Sequence, residues 1–393
     1  MPLRARALGC SFALALLHCG GDSKDDVAPV RELTLVSLNA ALGVGLAPYA
    51  DQRLDAIETD LPTLGADVIC LQEVWLPDDL DRLVASLSSE YPYNHRSVRA
   101  TGGDGAACTA AEASSLADCL ASNCSDVDRE GLPLCAIANC AGAFTEVSMA
   151  CQQCIAANQA AVDVENLTTI CANADGGAAS FSDQTGLVLL SRLPLERPSY
   201  VAFESSLGDR GLLSARLHTD FMGEVDVNCT HLAASLGEVP YTGPYGSWAG
   251  ERLRQIEQML ERVDEIRADG NAGGSAILMG DMNCGPGTAL ARAASPDAFA
   301  RLANAGFIAP YAELDGRCTF CENNPLNGLV TDPEEGALID HVLVSAAGSE
   351  VFAAERVLDA AISVDVDGEA IETAHSDHYG IRVRASGAGD VAP

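Results

Sequence analysis

The stretch LMGDMNCGP, Leu278 to Pro286, brings a carboxylate and an amide, Asp281 and Asn283, to the end of a short apolar run and then breaks into Gly and Pro. On a strand, positions i and i+2 face the same side, so the two groups are expected to point together beyond the strand's C-terminal end. The same residue types also make turns. Similar polar residues end or flank other apolar runs: Asn39 in VSLNA, Glu73 in LQEVW, His231 in CTHLA, Asp340 in LIDHV, and Asp377 with His378 in SDHYG. Carboxylate and amide oxygens are hard ligands that suit Mg²⁺ or Mn²⁺, and these motifs hold no His-rich or thiolate cluster of the kind zinc takes. The imidazoles titrate near neutrality, and a carboxylate partner both orients such a ring and raises its pKa. Phosphoester hydrolysis needs these parts: charge neutralised on phosphoryl oxygens, a water aimed in line, and a proton for the leaving oxygen.

The elements that must position these groups alternate between strand-like and helix-like stretches, which predicts a layered α/β or α+β domain. Leu33 to Asn39, Ala66 to Val74, and the runs beginning at Thr185, Gly211, Glu224 and Ser275 read as strands, as do ALIDHVLVS from Ala337 and SDHYGIRVR from Ser376. Asp51 to Leu64 has helical spacing. A second helix starts with Asp78 and Asp79, where negative charge suits the dipole, and lines Leu80, Leu83, Val84 and Leu87 along one face. A third, Glu251 to Arg267, carries Leu253, Ile256, Leu260, Val263 and Ile266.

Of fifteen cysteines, eight crowd into an Ala-rich segment, 102–179: Cys108, Cys119, Cys124, Cys135, Cys140, Cys151, Cys154 and Cys171. Six of them follow alternating steps of eleven and five residues, two interleaved series with a period of sixteen. Eleven residues is close to three helical turns. The segment reads as short helices stapled by disulfides, with the pairing open, inserted into a single domain spanning 31–386. Cys70 and Cys229, in apolar strands, are expected as core thiols. Cys318 and Cys321 in CTFC are expected as a loop disulfide, while Cys284 leaves disulfide, core thiol and functional thiol open. His341 is expected to point away from Asp340, and His375 to be a loop residue.

Taken in order, these motifs resemble the endonuclease/exonuclease/phosphatase superfamily, the metal-dependent hydrolases similar to deoxyribonuclease I. An Asn after the first strand, LQE, THL, GDxN, an Asp in an IDH-like context and SDH are all present, from Asn39 to His378. The resemblance implies a four-layer α/β-sandwich of the α+β class, two packed mixed β-sheets flanked by helices. It implies Glu73 as the main metal ligand with Asn39 and Asp377 near the same ion. It also implies His378, paired with Asp340, as general base or phosphate contact. His231 would stabilise the transition state or assist the leaving group, Asp281 would orient the water, and Asn283 would hold a phosphoryl oxygen. THL, the Arg- and Gln-bearing helix after it, NNPLNG and SDHY look most like the bacterial neutral sphingomyelinase branch, which implies a phosphodiesterase acting on a lipid such as sphingomyelin.

The formal net charge is −33, from 23 basic and 56 acidic residues, a field that repels a polyanion and makes nucleic acid the lesser expectation. A nuclease, a phosphomonoesterase and an inactive surface binding protein on the same fold are the alternatives. Aromatic residues are only 5% of the chain, and no apolar and aromatic loop suited to entering a membrane stands out. At the N-terminus, Arg4 and Arg6, the run Ser11 to Leu17 and Cys19 before two glycines describe an export signal, 1–19, followed by a polar tether, 20–30. Leu16 to Cys19 resembles a lipoprotein lipobox, departing from it at His18. Export is expected, either as a lipoprotein anchored through a lipidated Cys19 or as a secreted protein, and the cysteine count agrees.

Overall fold

Two strands with apolar residues on both faces start the architecture. β1 (Leu33–Asn39) and β2 (Val68–Gln72) are buried along their whole length and run parallel, as strands covered on both sides do. The computed structural model describes residues 31–43, 47–96, 106–127, 131–148, 151–152, 154–155, 170–172, 185–237, 239–269, 274–327, 336–345 and 349–387. The expected export signal, lipidation site and tether lie outside these residues. With β3 (Tyr93–Arg96), β4 (Val188–Ser191), β11 (Ser349–Val357) and β14 (Gly380–Gly387), the first two strands form a mixed sheet ordered β11-β14-β1-β2-β4-β3. β3 and β4 are hydrogen-bonded neighbours although the cysteine-rich segment separates them in sequence.

The second mixed sheet, ordered β5-β6-β7-β8-β10-β9, is built from β5 (Glu196–Ala202), β6 (Gly211–Thr219), β7 (Gly223–His231), β8 (Ser275–Asp281), β9 (Phe307–Ile308) and β10 (Asp340–Ser345). β12 (Ile362–Val366) and β13 (Glu369–Thr373) form a separate hairpin. Alternation along β7 sends Val225, Val227 and Cys229 into the inter-sheet core with Leu35, Cys70, Met279 and Val383. On the outer face of the first sheet, α1 (Ala50–Asp60) and α2 (Pro77–Ser86) bury Leu54, Ile57, Leu80 and Leu83. The second sheet is covered in the same way by α5 (Trp248–Ala268) and α6 (Pro296–Asn304), through Ile256, Met259 and Leu302. The result is the four-layer α/β-sandwich. At roughly 1.5–3 kcal/mol for each large apolar side chain fully buried, the central layer does most to hold the sheets together.

Cys70 and Cys229 are not free thiols. They form a disulfide between β2 and β7, joining the two sheets. Each strand alone shows an apolar position, and only the stacking of the sheets makes the two positions face each other.

In the insertion, α3 (Ala110–Asn123) starts with a capping box between Thr109 and Glu112, and α4 (Leu132–Glu146) follows. Cys108–Cys151, Cys119–Cys140 and Cys124–Cys135 nest inside one another, and Cys154–Cys171 follows outside them. The eleven-and-five spacing reads the same in both directions, and the pairing follows that mirror order, since an antiparallel helix pair joins its first cysteine to its last. All eight thiols are consumed, which leaves no thiolate for zinc. The short α7 (Pro310–Leu314) completes the described helices, none of which is long and apolar enough to cross a membrane.

Candidate active site

The register of the strands gathers the expected residues at one edge of both sheets. His231, Asp281 and Asp340 lie in a single row across β7, β8 and β10, because antiparallel β10 begins where parallel β7 and β8 end. In the first sheet Asn39 is level with Gln72, and Glu73 follows at once. Asp377 and His378 precede β14, which runs antiparallel to β1. The edges meet: Asn39 Nδ2 donates to Glu73 Oε1 at 3.0 Å and to Asp281 Oδ2 at 3.2 Å.

Local backbone explains the motifs. Gly280 has φ +143°, and a Cβ there would run into the Thr230 carbonyl, so glycine lets β8 approach β7 closely just before Asp281. Glu73 (φ +60°) and Asn283 (φ +49°) occupy the left-handed region, uncommon for non-glycine residues, where the chain leaves each strand. For Asn283 this corrects the strand-based expectation. The chain has already turned, its amide N–H donates to Asp281 Oδ1 at 2.8 Å, and its Nδ2 donates to Leu232 O at 3.0 Å. The two groups are neighbours through a turn rather than through a two-residue strand repeat.

His378 Nδ1 is 2.8 Å from Asp340 Oδ2, both buried. That bond fixes the ring and turns Nε2 toward Asp281 Oδ2, 4.0 Å away. Burial opposes a charge on His378, but Asp340, Asp377 and Asp281 outweigh it and hold its pKa well above the usual histidine range. His231 is opposite in character: burial, then Arg210 and His378, drives its pKa well below that range. Its Nε2 lies 3.5 Å from Asp281 Oδ2 and 3.9 Å from Glu73 Oε1. Arg210 Nη1 lies 3.4 Å from His231 Nδ1, and since a guanidinium only donates, Nδ1 accepts and the ring proton is assigned to Nε2, facing the carboxylates.

The carboxylates repel one another. Burial, then Asp340 and Glu73, raises Asp281 to about 7 against the pull of His378, and burial with Asp377 raises Glu73. Asp340 Oδ1 is buried with no hydrogen-bond partner among the described residues. Asp281, Asp340 and His378 bring one ligand atom each to within 4.8 Å of one another, a grouping that differs from the expected Asn39, Glu73 and Asp377. In that first grouping His378 Nδ1 and Asp340 Oδ2 are already paired with each other, whereas Glu73 keeps 20% of its side chain exposed. In both groupings hard oxygens dominate and crowd each other's charge, a donor set that fits Mg²⁺ or Mn²⁺.

Arg210 was not among the expected residues. It immediately precedes β6, whose first residue is level with His231, so the logic that finds Asp340 at the start of an antiparallel strand would also have found it. Its guanidinium lies over the Trp75 ring at 5.5 Å, and its Nε has no partner among the described residues. Arg53 is fully buried in a supporting position. It donates to the carbonyls of Ala40, Ala41, Pro48 and His375, tying the turn after Asn39 to the one before Asp377.

The remaining residues fall outside the cleft chemistry. His341 donates from Nε2–H to Cys284 O (2.9 Å) and packs on Phe299, and His375 bonds Asp60. Cys284 is a buried free thiol that burial pushes up to about 12, so it is a core thiol.

The protein is similar in fold to sphingomyelinase C from Streptomyces griseocarneus, with TM-score 0.53 and 19% identity over 90% of this chain and 99% of that one. Beta toxin from Staphylococcus aureus, solved with bound magnesium ions, gives TM-score 0.55 and 13% identity over 90% and 99%. Truncated TDP2 from Caenorhabditis elegans gives 0.51 and 15% over 90% and 97%. A search of curated protein sequences finds no match. At such identities the likeness is one of fold. A family model supplies the rest: it matches residues 36–378, a span that contains every motif residue gathered at the sheet edges, and the chain belongs to the Endonuclease/Exonuclease/phosphatase family.

Proposed function

We propose that the protein is an exported, divalent-metal-dependent phosphodiesterase whose substrate is a phospholipid such as sphingomyelin. The observation that carries the hydrolase reading is the joined edge: the row His231, Asp281 and Asp340 on one sheet, bonded through Asn39 to Glu73 on the other. Glu73 and Asp377, with Asn39, would hold Mg²⁺ or Mn²⁺, which when bound neutralises charge on a phosphoryl oxygen and lowers the pKa of a bound water. Asp340 holds His378 so that Nε2 exchanges a proton with the water or the phosphate. Neutral His231 donates from Nε2 to the leaving side, Asp281 orients the water, and Asn283 faces a phosphoryl oxygen. Arg210, held against Trp75, adds a fixed cation for the phosphate.

The lipid reading is supported by the net charge of −33, which disfavours a polyanion, and by the sphingomyelinase among the similar folds. The export reading rests on the N-terminal pattern and agrees with six disulfides among the described residues. Side-by-side rates on sphingomyelin, single- and double-stranded DNA, and a phosphomonoester test the substrate. Sphingomyelin is expected to be turned over fastest. Preference for DNA would make the protein a nuclease, and no turnover of any of them would leave the inactive binding protein.

A further inference from the structure

The segment CTFCENNPLN, Cys318 to Asn327, supplies no group to the chemistry above, yet it is bonded to the backbone on both sides of the His378–Asp340 pair. Thr319 is fully buried, and its Oγ1 accepts from Ile339 N at 3.1 Å and from Asp340 N at 3.2 Å. Its carbonyl accepts from Tyr379 N at 2.9 Å, one residue past His378. The Phe320 ring stands 4.9 Å from the His378 ring. Asn324 Nδ2 donates to Ser376 O at 2.8 Å, and Asn327 Nδ2 donates to Asp377 O at 3.1 Å and to Cys321 O at 2.8 Å. Every residue from Ser376 to Tyr379 is thus backed by this segment, and the Cys318–Cys321 disulfide closes the loop at its head. Arg356 seals the outside, donating to Cys318 O at 3.1 Å while lying over Tyr379.

We propose that this segment is a brace that sets the distance and angle between His378 and Asp340, with Thr319 as its central positioning residue. One hydroxyl and one carbonyl of Thr319 link the two chain segments that carry the pair, so losing the hydroxyl frees Asp340 to shift relative to His378. The functional consequence rests on the hydrolase reading, because misplacing an acid–base pair by about 1 Å can cost on the order of a hundredfold in rate.

The test compares Thr319→Val, which keeps the shape and removes the acceptor, with Thr319→Ser, which keeps both hydrogen bonds. A Cys318→Ser/Cys321→Ser double variant opens the loop without touching Thr319. On bis-p-nitrophenyl phosphate with Mg²⁺, Thr319→Val is expected to lower kcat about tenfold or more with KM little changed, Thr319→Ser to keep the native value, and the double variant to lower kcat as well. In parallel, proton NMR follows the downfield His378 Nδ1 proton, identified by its loss in His378→Gln. It is expected in the native protein and Thr319→Ser, and lost or shifted in Thr319→Val. Native kcat and an unmoved resonance in Thr319→Val would overturn the brace, as would equal losses in Val and Ser. If the native protein has no turnover, the function proposed above fails while the resonance still decides the brace.

Discussion

Metal-free protein is expected to melt at a higher temperature as the pH falls from about 8 to about 6.5, and Asp281→Asn to lose part of that rise. The folded state raises Asp281 from 3.8 to about 7, so between those values it binds a proton that the unfolded chain does not. A carboxylate raised in this way adds stability as the pH falls through its folded value. Over the whole interval the effect is about 4 kcal/mol at about 1.4 kcal/mol per pKa unit, an upper bound because Asp281 shares its field with Asp340 and His378. Between pH 8 and 6.5 the linkage relation leaves about 0.8 kcal/mol, or roughly 1 °C for a domain of this size. Glu73 and His378, also raised, contribute in the same direction, while His231 and His341, both lowered, oppose it as unfolded histidine protonates toward about 6.5, and both effects are shared by the two proteins. Calorimetry in EDTA at several pH values, on native protein and on Asp281→Asn, isolates the term as a difference of slopes. Parallel slopes would refute the claim that Asp281 is held against its charge.

Glu73→Gln is expected to raise the Mg²⁺ concentration for half-maximal activity by at least about tenfold, measured by metal titration, and an unchanged midpoint would remove Glu73 from the ligand set. His231→Ala and His378→Ala should each lower kcat at least about a hundredfold, as acid–base groups do, and near-native turnover in either would take that residue out of the mechanism. Arg210→Gln is expected to lower kcat/KM about ten- to a hundredfold, the loss of a charge-assisted contact. A native value would make Arg210 a structural partner of His231 and Trp75 alone.

The central strands were legible because burial on both faces writes continuous apolar runs, as in VICLQ, and α5 because its apolar stripe keeps helical period over 21 residues. The edge strands were not. β5 contains Pro198 and a register shift between Glu196 and Ser199, both tolerated at an edge and both unlike a strand pattern. β11 is half-exposed and carries no clean alternation, whereas β12, ISVDV, alternates apolar and polar residues, a legible strand signal missing from the strands expected above. The site's motif residues could be read as types, but their meeting depends on the register of β10 against β8, which no local stretch encodes. The strand-based placement of Asn283 beside Asp281 and the free-thiol expectation for Cys70 and Cys229 differed from the structure for related reasons: the first needed the turn after β8, the second the stacking of two sheets.

The most direct measurement is hydrolysis of bis-p-nitrophenyl phosphate by the purified protein, with Mg²⁺ or Mn²⁺, after EDTA, and after the ion is restored. Turnover that needs the ion, returns with it, and collapses in His378→Ala is the expected result. Turnover indifferent to EDTA, or none with either ion, would contradict a metal-dependent phosphodiesterase.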